Sequence, residues 1–357
     1  MTRWHAIHVY HYDEDKTDLL LDGVRPWLRQ VQPFADRWYF QQHWLRGPHV
    51  RLCLAATDAD FHRVIVPSAR ETLGSYLRRH PSTTVLDPQR LLPLYRHLAR
   101  AERVPGPLLP LQPDNTVVCR PYDARADALG SEELAHVVEQ FYVDSDDLAF
   151  EMLESVRSGV DRRMLAFQLM VAAAHHLSHH VCYGFVSYRS HAEAFIAGSA
   201  DPPALRRFLD DQYRARADDL ARELVRIVDE PDDGVRAFVT LLRGIRDQVR
   251  PALDTGRLPL PGAPDDPRMG RIAGHSEFHR ALTAETDTRH RLYGDPAFQA
   301  NRLAVNLLYL HLARIGVRPL ERYVLSHAIA NTVERVYGLT AIDAVRLGVR
   351  QPERRSA

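Results

Sequence analysis

Histidines are the first residues in this sequence whose type and spacing suggest chemistry. Four of them, His175, His176, His179 and His180, lie in His-His-Leu-Ser-His-His within a run that reads as helical. Positions i and i+4 of a helix share a face, so such pairs could present two imidazoles to a metal ion. No glutamate intervenes as in His-Glu-x-x-His, and no third ligand can be identified. We therefore predict no metal site and expect these side chains to pack through polar edges or to line a peptide groove.

The cationic residues are almost all arginines. Lys16 is the single lysine among 46 Lys+Arg, which leaves 45 arginines against 46 Asp+Glu and a formal net charge of zero. Lys16 lies in Asp-Glu-Asp-Lys-Thr-Asp, so it fits neither a phosphate-binding loop nor a buried Schiff-base lysine. No Gly-x-Gly-x-x-Gly follows a strand-like run. We expect no nucleotide or other cofactor, and without a basic excess we expect no nucleic-acid partner.

Other nucleophile and carboxylate patterns are weak. Cys53, Cys119 and Cys182 form no Cys-x-x-Cys pair, and no Gly-x-Ser-x-Gly is present, so neither a disulfide framework nor a hydrolase is indicated. Clustered carboxylates such as Asp144, Asp146 and Asp147 fit caps or solvated helix faces. The three separated cysteines favour the reducing cytoplasm, and because no run of about 18 apolar residues occurs we expect no membrane partner.

The elements that must position these residues change type along the 357-residue chain. Strand-like runs at 4–12, 38–44, 49–54 and 116–119 alternate with helical runs at 18–31 and 59–79, which predicts an antiparallel sheet backed by helices. From Ser131 the pattern is almost wholly helical. The predicted fold class is α+β, with a mixed part at 1–125 and a mainly helical part at 126–357. We expect one compact unit with the active site between the parts.

Several stretches resemble one known family. They are residues 4–12, 19–27 and 38–52, the helix with Val-Glu-Gln-Phe-Tyr-Val-Asp-Ser at 138–145, and Asn301-Arg302-Leu303. The first resemble the C-terminal elimination domain of class I lanthipeptide dehydratases, and the last two resemble its Glu-x-Phe-x-x-Asp-Ser and Asn-Arg-Leu motifs. The resemblance covers about residues 4–310 and implies the fold of that domain.

The resemblance does not extend to the residues that carry out the family's elimination reaction. In that domain two arginines and a histidine eliminate glutamate from glutamylated Ser or Thr. Matching the motifs places Gln42 at the first arginine, 128–131 (Ala-Leu-Gly-Ser) at the second, and 297–300 (Ala-Phe-Gln-Ala) where the histidine should be. These residues supply neither a cation for the leaving carboxylate nor a base for the α-proton.

One branch of this fold performs a different reaction, and the sequence resembles it. Thiopeptide pyridine synthases join two dehydroalanines of a thiazole-containing precursor peptide in a formal [4+2] aza-cycloaddition, which closes the macrocycle and expels water and the leader peptide as a carboxamide. That reaction asks for a neutral proton relay between nitrogen and oxygen rather than for a cofactor. The partner this resemblance implies is the precursor peptide, and it leaves a homodimer open.

Candidate residues come from the places where the family's active site should lie. The predicted catalytic residues are Tyr293, Gln299, His43 and Gln42, and the predicted substrate-binding residues are Asn301, Arg302, His179 and Tyr183. For Tyr293 the alternative is a ring packed at a helix start, and for Asn301 and Arg302 it is a structural polar network.

Two other functions stay open at this point. One is a stand-alone glutamate-elimination subunit, which the missing arginines and histidine disfavour. The other is a non-catalytic protein that binds the precursor peptide or a partner dehydratase.

Overall fold

The computed structural model describes residues 1–258, 260, 268–283 and 293–349. The chain divides into two compact units, Met1–Gly159 with Ala313–Gly316 and Val160–Leu312 with Val317–Ala357. The sheet lies in the first unit, and every regular element described in the second unit is a helix. This combination confirms the predicted α+β class. The expected boundary at residue 125 stays a prediction.

The first unit contains a four-stranded antiparallel sheet in the order β2-β3-β1-β4. Its strands are β1 (Thr2–Tyr10), β2 (Arg37–His43), β3 (His49–Thr57) and β4 (Thr116–Arg120). The register places His8 opposite Arg51 and Tyr10 opposite His49. The predicted strands and their antiparallel pairing are therefore confirmed.

Helices cover the sheet and its connections in the first unit. They are α1 (Arg25–Val31), α2 (Val66–Arg79), α3 (Pro88–Ala101), α4 (Ala126–Leu129), α5 (Glu132–Asp144) and α6 (Asp146–Arg157), with π-helical turns at Leu19–Val24 and Phe61–Ile65. Ser131 caps α5 by accepting from Leu134 N at 3.1 Å, which confirms the predicted helix start. The proline-bearing stretch at 87–93 predicts irregular structure, but it lies in a helix because Asp87 caps that helix and Pro88 occupies its first turn.

Alternation along the strands creates one apolar face and one polar face. Ile7, Val9, Val50, Leu52 and Phe40 are fully buried on the apolar face, which has the period of two expected for a half-buried sheet. Phe40 packs on Phe150 of α6 with ring centroids 4.9 Å apart. The opposite face carries His8 of β1, His43 of β2, and His49 and Arg51 of β3.

A buried ion pair fixes α6 within this unit. Asp146, expected on a solvated face, is 4% exposed and accepts from the Arg314 guanidinium and from Phe40 N at 3.2 Å. Arg314 also donates to Ser145 Oγ at 2.8 Å and to Tyr142 O at 3.2 Å, and its guanidinium lies 4.5 Å from the Phe40 ring centroid. Burial raises the pKa of Asp146 to about 7, and the Arg314 charge opposes that rise. The expectation of a solvated carboxylate is wrong at this position because the arginine compensates its burial.

Lys16 also departs from expectation, since it is 4% exposed. Its Nζ donates to Asp13 O at 2.5 Å. Burial lowers the pKa of Lys16 to about 8, while the charges of Asp13, Asp114 and Asp15 oppose that change. The acidic stretch therefore stabilises a buried ammonium instead of keeping it in solvent.

The second unit is a stack of helices. They are α7 (Arg162–Leu177), α8 (Val181–Ala197), α9 (Pro202–Arg214), α10 (Ala217–Asp229), α11 (Asp233–Asp254), α12 (Arg268–His275), α13 (Glu277–Thr283), α14 (Pro296–Arg314, ending in the first unit), α15 (Pro319–Tyr337) and α16 (Ala341–Val349). The proline- and glycine-rich sequence at 251–267 predicts a loop, but α11 runs to Asp254, and most of the rest of that segment lies outside the described residues. In the described part of the chain no helix is long and apolar enough to span a bilayer.

A close helix approach defines the centre of the second unit. A Cβ added to Gly184 of α8 would lie 2.1 Å from Ala174 O of α7, so only glycine permits this contact. The sequence at 160–188 predicts one continuous helix, but the helix is broken between α7 and α8. His180 caps α8 by accepting from Cys182 N at 3.2 Å, and His179 adopts a left-handed φ of 64°.

Candidate active site

A pair of neutral proton-transfer groups lies between two helices of the second unit. His191 Nδ1 of α8 is 2.8 Å from Tyr309 Oη of α14. Tyr309 Oη is also 3.5 Å from Ser326 Oγ of α15, which donates at 2.8 Å to Arg322 O. Ser326 is fully buried, whereas His191 and Tyr309 are half-buried. The phenol and imidazole can therefore exchange a proton with each other and with a molecule placed beside them.

The surroundings keep both groups uncharged near neutral pH. Burial lowers the pKa of His191 to about 4, and the positive charge of Arg322 contributes to that shift. Burial raises the pKa of Tyr309 above its usual range. Arg322 lies over the Tyr309 ring, with its guanidinium 4.9 Å from the centroid. A neutral imidazole beside a protonated phenol can relay a proton without forming an ion pair.

A second histidine buttresses the helix segment that carries His191. His279 of α13 is 1% exposed, and its Nε2 lies 3.2 Å from the hydroxyl of Ser190. Its Nδ1 lies 2.9 Å from Ser276 Oγ, which also accepts from His279 N at 3.2 Å. Burial lowers the pKa of His279 as well. These contacts fix the position next to His191.

Three of the predicted residues form a connected group. Gln299 Nε2 donates to Tyr293 O, and Gln299 Oε1 accepts from Arg302 at 3.1 Å. The Arg302 guanidinium lies 5.7 Å from the centroid of the Tyr293 ring. Arg302 and Tyr309 are seven residues apart on α14 and so share a helix face. The Arg302 charge also contributes to the lowered pKa of His191, after burial, Arg322 and His279, which places this group near the His191–Tyr309 pair.

In the described part of the chain, no side-chain hydrogen bond, ion pair or ring contact joins the other predicted residues of the second unit to that group. Asn301 is half-buried on α14. Tyr183 is 45% exposed in the first turn of α8. His179 is exposed in the segment that separates α7 from α8. The break before His179 removes the helical spacing that would have paired it with His175. No group of three or more metal-ligand side chains is found among the described residues.

The remaining predicted residues, Gln42 and His43, lie on β2 in the first unit and point to opposite faces. Gln42 Nε2 donates to Arg314 O at 2.9 Å. His43 Nδ1 accepts from Leu45 N at 3.0 Å and lies 3.0 Å from the Arg51 guanidinium. Burial, with the nearby charge of Arg51, holds the pKa of His43 well below its usual value. His43 is thus a neutral partner of an arginine.

Comparison with known families identifies the chain. Residues 4–333 match the family model described as lantibiotic biosynthesis dehydratase C-term. The chain belongs to this family.

Solved structures refine the comparison. The chain is similar to a pyridine synthase, TbtD, from thiomuracin biosynthesis, with 32% identity and a TM-score of 0.76, covering 94% of this chain and 99% of that one. It is also similar to TsrL at 22% identity and a TM-score of 0.74, covering 97% and 98% of the two chains. The tRNA-dependent lantibiotic dehydratase MibB from Microbispora sp. 107891 matches at 15% identity and a TM-score of 0.43, covering 98% of this chain and 28% of that one. No curated protein sequence matches significantly.

These matches confirm the predicted resemblance to the dehydratase C-terminal family and to its pyridine synthase branch. The family motif at 138–145 has a structural role here, since Ser145 anchors Arg314. The Asn-Arg-Leu motif supplies Arg302, which holds Gln299 and Tyr293.

Sequence reasoning missed His191, Tyr309 and Ser326. A signal for Tyr309 was present, because it lies two helical turns after Arg302 on the predicted helix. His191 and Ser326 gave none, since only the packing of three helices brings them together.

Proposed function

We propose that this member of the dehydratase C-terminal family is a thiopeptide pyridine synthase. It joins two dehydroalanines of a thiazole-bearing precursor peptide by a formal [4+2] aza-cycloaddition, with loss of water and of the leader peptide as a carboxamide. The observation that carries the proposal is the 32% identity to TbtD across nearly the full length of both chains. The neutral His191–Tyr309 pair supplies the chemistry that such a reaction needs.

The first step is tautomerisation of one dehydroalanine amide to its iminol, which makes the azadiene. His191 Nε2 takes the amide N–H proton, and its Nδ1–H passes to Tyr309 Oη. The Tyr309 hydroxyl gives its proton to the amide oxygen. The relay starts and ends neutral, in keeping with the low pKa of His191 and the high pKa of Tyr309.

The later steps balance without an oxidant. Cycloaddition forms two C–C bonds, which join the alkene CH2 and the iminol carbon of the azadiene to the two carbons of the second alkene, and it leaves the former iminol hydroxyl on the new ring. Departure of that hydroxyl as water adds one unsaturation. Departure of the leader amide nitrogen, with one proton, adds the unsaturation that makes the ring aromatic. Tyr309 is the acid for each leaving group and His191 is the base for each proton.

The predicted residues take supporting roles in this scheme. Tyr293, held by Gln299 and Arg302, contacts the substrate backbone, while Gln299 and Arg302 orient an amide. Asn301, His179 and Tyr183 bind parts of the peptide remote from the reacting alkenes. Gln42 and His43 act from β2 of the first unit, where they replace the family's cationic strand residue. No cofactor is used.

The proposal is tested with purified protein and a precursor peptide that carries thiazoles and dehydroalanines. Masses are followed without added metal or nucleotide. The expected products are an intact leader carboxamide and a macrocyclic core that together account for the substrate mass less one water. Free glutamate from a glutamylated peptide would instead support an elimination subunit. Unchanged dehydroalanine substrate, bound tightly through its leader, would support a non-catalytic binding protein.

A further inference from the structure

The polar face of the sheet in the first unit carries two arginines that lack carboxylate partners. Arg51 of β3 lies opposite His8 of β1 in the antiparallel register, and Arg120 of β4 lies opposite Ala6. Cross-strand partners share a face, and residues two apart on a strand share it as well, so Arg51, Arg120 and His8 lie on one side of the sheet.

The polar partners of Arg51 are imidazoles. Its Nε donates to His49 Nε2 at 3.3 Å, and its guanidinium lies 3.0 Å from His43 Nδ1. No carboxylate lies within 4 Å of Arg51 or Arg120 in the described part of the chain. Arg51 and Arg120 are each half-buried. A half-buried guanidinium is ordinarily paired with an anion because its desolvation is otherwise uncompensated.

Three other sequestered arginines of the same unit do have such partners, whereas the half-buried Arg46 donates to Pro110 O at 2.9 Å. Arg25 pairs with Glu154, Arg314 with Asp146, and Arg125 with Glu102 at 3.7 Å. Arg51 and Arg120 therefore differ from these three arginines, each of which has a carboxylate partner.

Neighbouring groups leave this positive charge unbalanced. Burial lowers the pKa of His8 to about 2 and that of His49 to about 3, with the charge of Arg51 contributing to both shifts, so both rings are neutral. The His8 ring stacks on the His49 ring with centroids 4.6 Å apart, and the Tyr10 ring lies 4.6 Å from the same imidazole. Asp123 attracts Arg51 only from beyond ion-pair distance, and Glu102 is engaged by Arg125 and Trp44.

We propose that the face defined by Arg51 and Arg120 binds a carboxylate of the precursor peptide, an aspartate or glutamate side chain. A planar guanidinium matches a carboxylate in geometry and charge, and two of them on one face select an anion over an amide of the same shape. The inference rests on the proposed function for its partner, a peptide. It assigns this face to recognition, apart from the proton relay of His191 and Tyr309.

The test is equilibrium binding of two fluorescently labelled probes, hexaglutamate and hexaglutamine, to the full-length protein at constant ionic strength. We expect hexaglutamate to bind at least about 10-fold more tightly, because charge-assisted hydrogen bonds are worth more than neutral ones. Arg51→Gln and Arg120→Gln should each weaken hexaglutamate binding by about 10-fold. Arg63→Gln is the matched control, since Arg63 is an exposed arginine of the same unit. It should leave binding unchanged.

Equal affinity for the two probes, or equal losses in all three variants, would overturn the site. Circular dichroism establishes that each variant is folded. If Arg51→Gln fails to fold, Arg120→Gln on the edge strand decides the matter. Failure of the wild-type protein to release a leader carboxamide, with probe selectivity intact, would refute the proposed reaction and leave the carboxylate site standing.

Discussion

Replacing Tyr309 with phenylalanine tests the proton relay most directly. The substitution removes one oxygen, which lies 2.8 Å from His191 Nδ1 and 3.5 Å from Ser326 Oγ, and it keeps the ring beneath the Arg322 guanidinium. Ser326 keeps its bond to Arg322 O. The free energy of unfolding should therefore fall by only about 1 kcal/mol, the net value of one hydrogen bond.

The effect on the reaction should be far larger. General acid–base catalysis by one positioned group contributes roughly 10²–10⁴-fold, so we expect Tyr309→Phe to slow single-turnover release of the leader carboxamide by at least about 100-fold. Release is measured by mass spectrometry at saturating precursor peptide. Thermal unfolding of the same sample shows that the loss comes from chemistry rather than from stability.

Tyr323→Phe provides the matched control. Tyr323 lies on α15 near the same site, but its ring stacks on Phe195 at 4.4 Å and its hydroxyl has no hydrogen bond in the described part of the chain. This variant should keep the wild-type rate. A Tyr309→Phe enzyme at the wild-type rate, or equal losses in the two variants, would refute the relay. The wild-type rate should also hold between pH 6 and 8 and fall only as pH drops toward about 4, where His191 takes up a proton.

Three further predictions concern stability. Asp146→Ala leaves Arg314 buried without its anion and should lower the free energy of unfolding by about 3–5 kcal/mol in urea titrations, whereas alanine at the exposed Asp147 should not. Gly184→Ala should destabilise the protein severely, because its Cβ would overlap Ala174 O. Gly244→Ala, with nothing within 4 Å, should raise the melting temperature through a gain of roughly 0.5–1 kcal/mol. His8 and His49 stay neutral when folded, so the unfolded chain binds more protons below pH 6.5, and each should lower the free energy of unfolding by roughly 1.4 kcal/mol for each pH unit below that value. His8→Gln should reduce this slope in urea titrations at several pH values, and His136→Gln, at an exposed position, should not.

Local sequence pattern predicted most of the sheet. Both the period-two alternation of the strands and the turn-forming pair Gly47-Pro48 between β2 and β3 depend only on residues that are adjacent in the chain. Local pattern gave the wrong prediction where a residue distant in sequence determines whether a charged side chain is buried. Asp146 looked like a solvated carboxylate, and only Arg314, 168 residues away, makes its burial tolerable. The prediction for Lys16 was wrong for a similar reason, since its acidic neighbours fold around the buried ammonium. The helix break at His179 was missed because alanine- and histidine-rich sequence continues the helical pattern on both sides of it.

In the proposed active site, too, sequence pattern found the residues that are close together in the chain and missed those that only helix packing brings together. Tyr293, Gln299 and Arg302 were found because they lie near a motif within ten residues of one another. His191, Tyr309 and Ser326 come from three helices, and no spacing along the chain relates them.

The family resemblance and the change of chemistry have separate physical bases in this chain. Motif residues that it shares with the dehydratases hold the fold, since Ser145 anchors Arg314 and Arg302 secures the segment around Gln299. Gln42, which the motif resemblance predicts to lie in place of the first elimination arginine, donates to Arg314 O. A neutral amide can fill that place because Arg314 already has Asp146 as its counter-ion. No buried charge is therefore left uncompensated at this position of the chain, and a relay of neutral groups can carry the proposed reaction on the family framework.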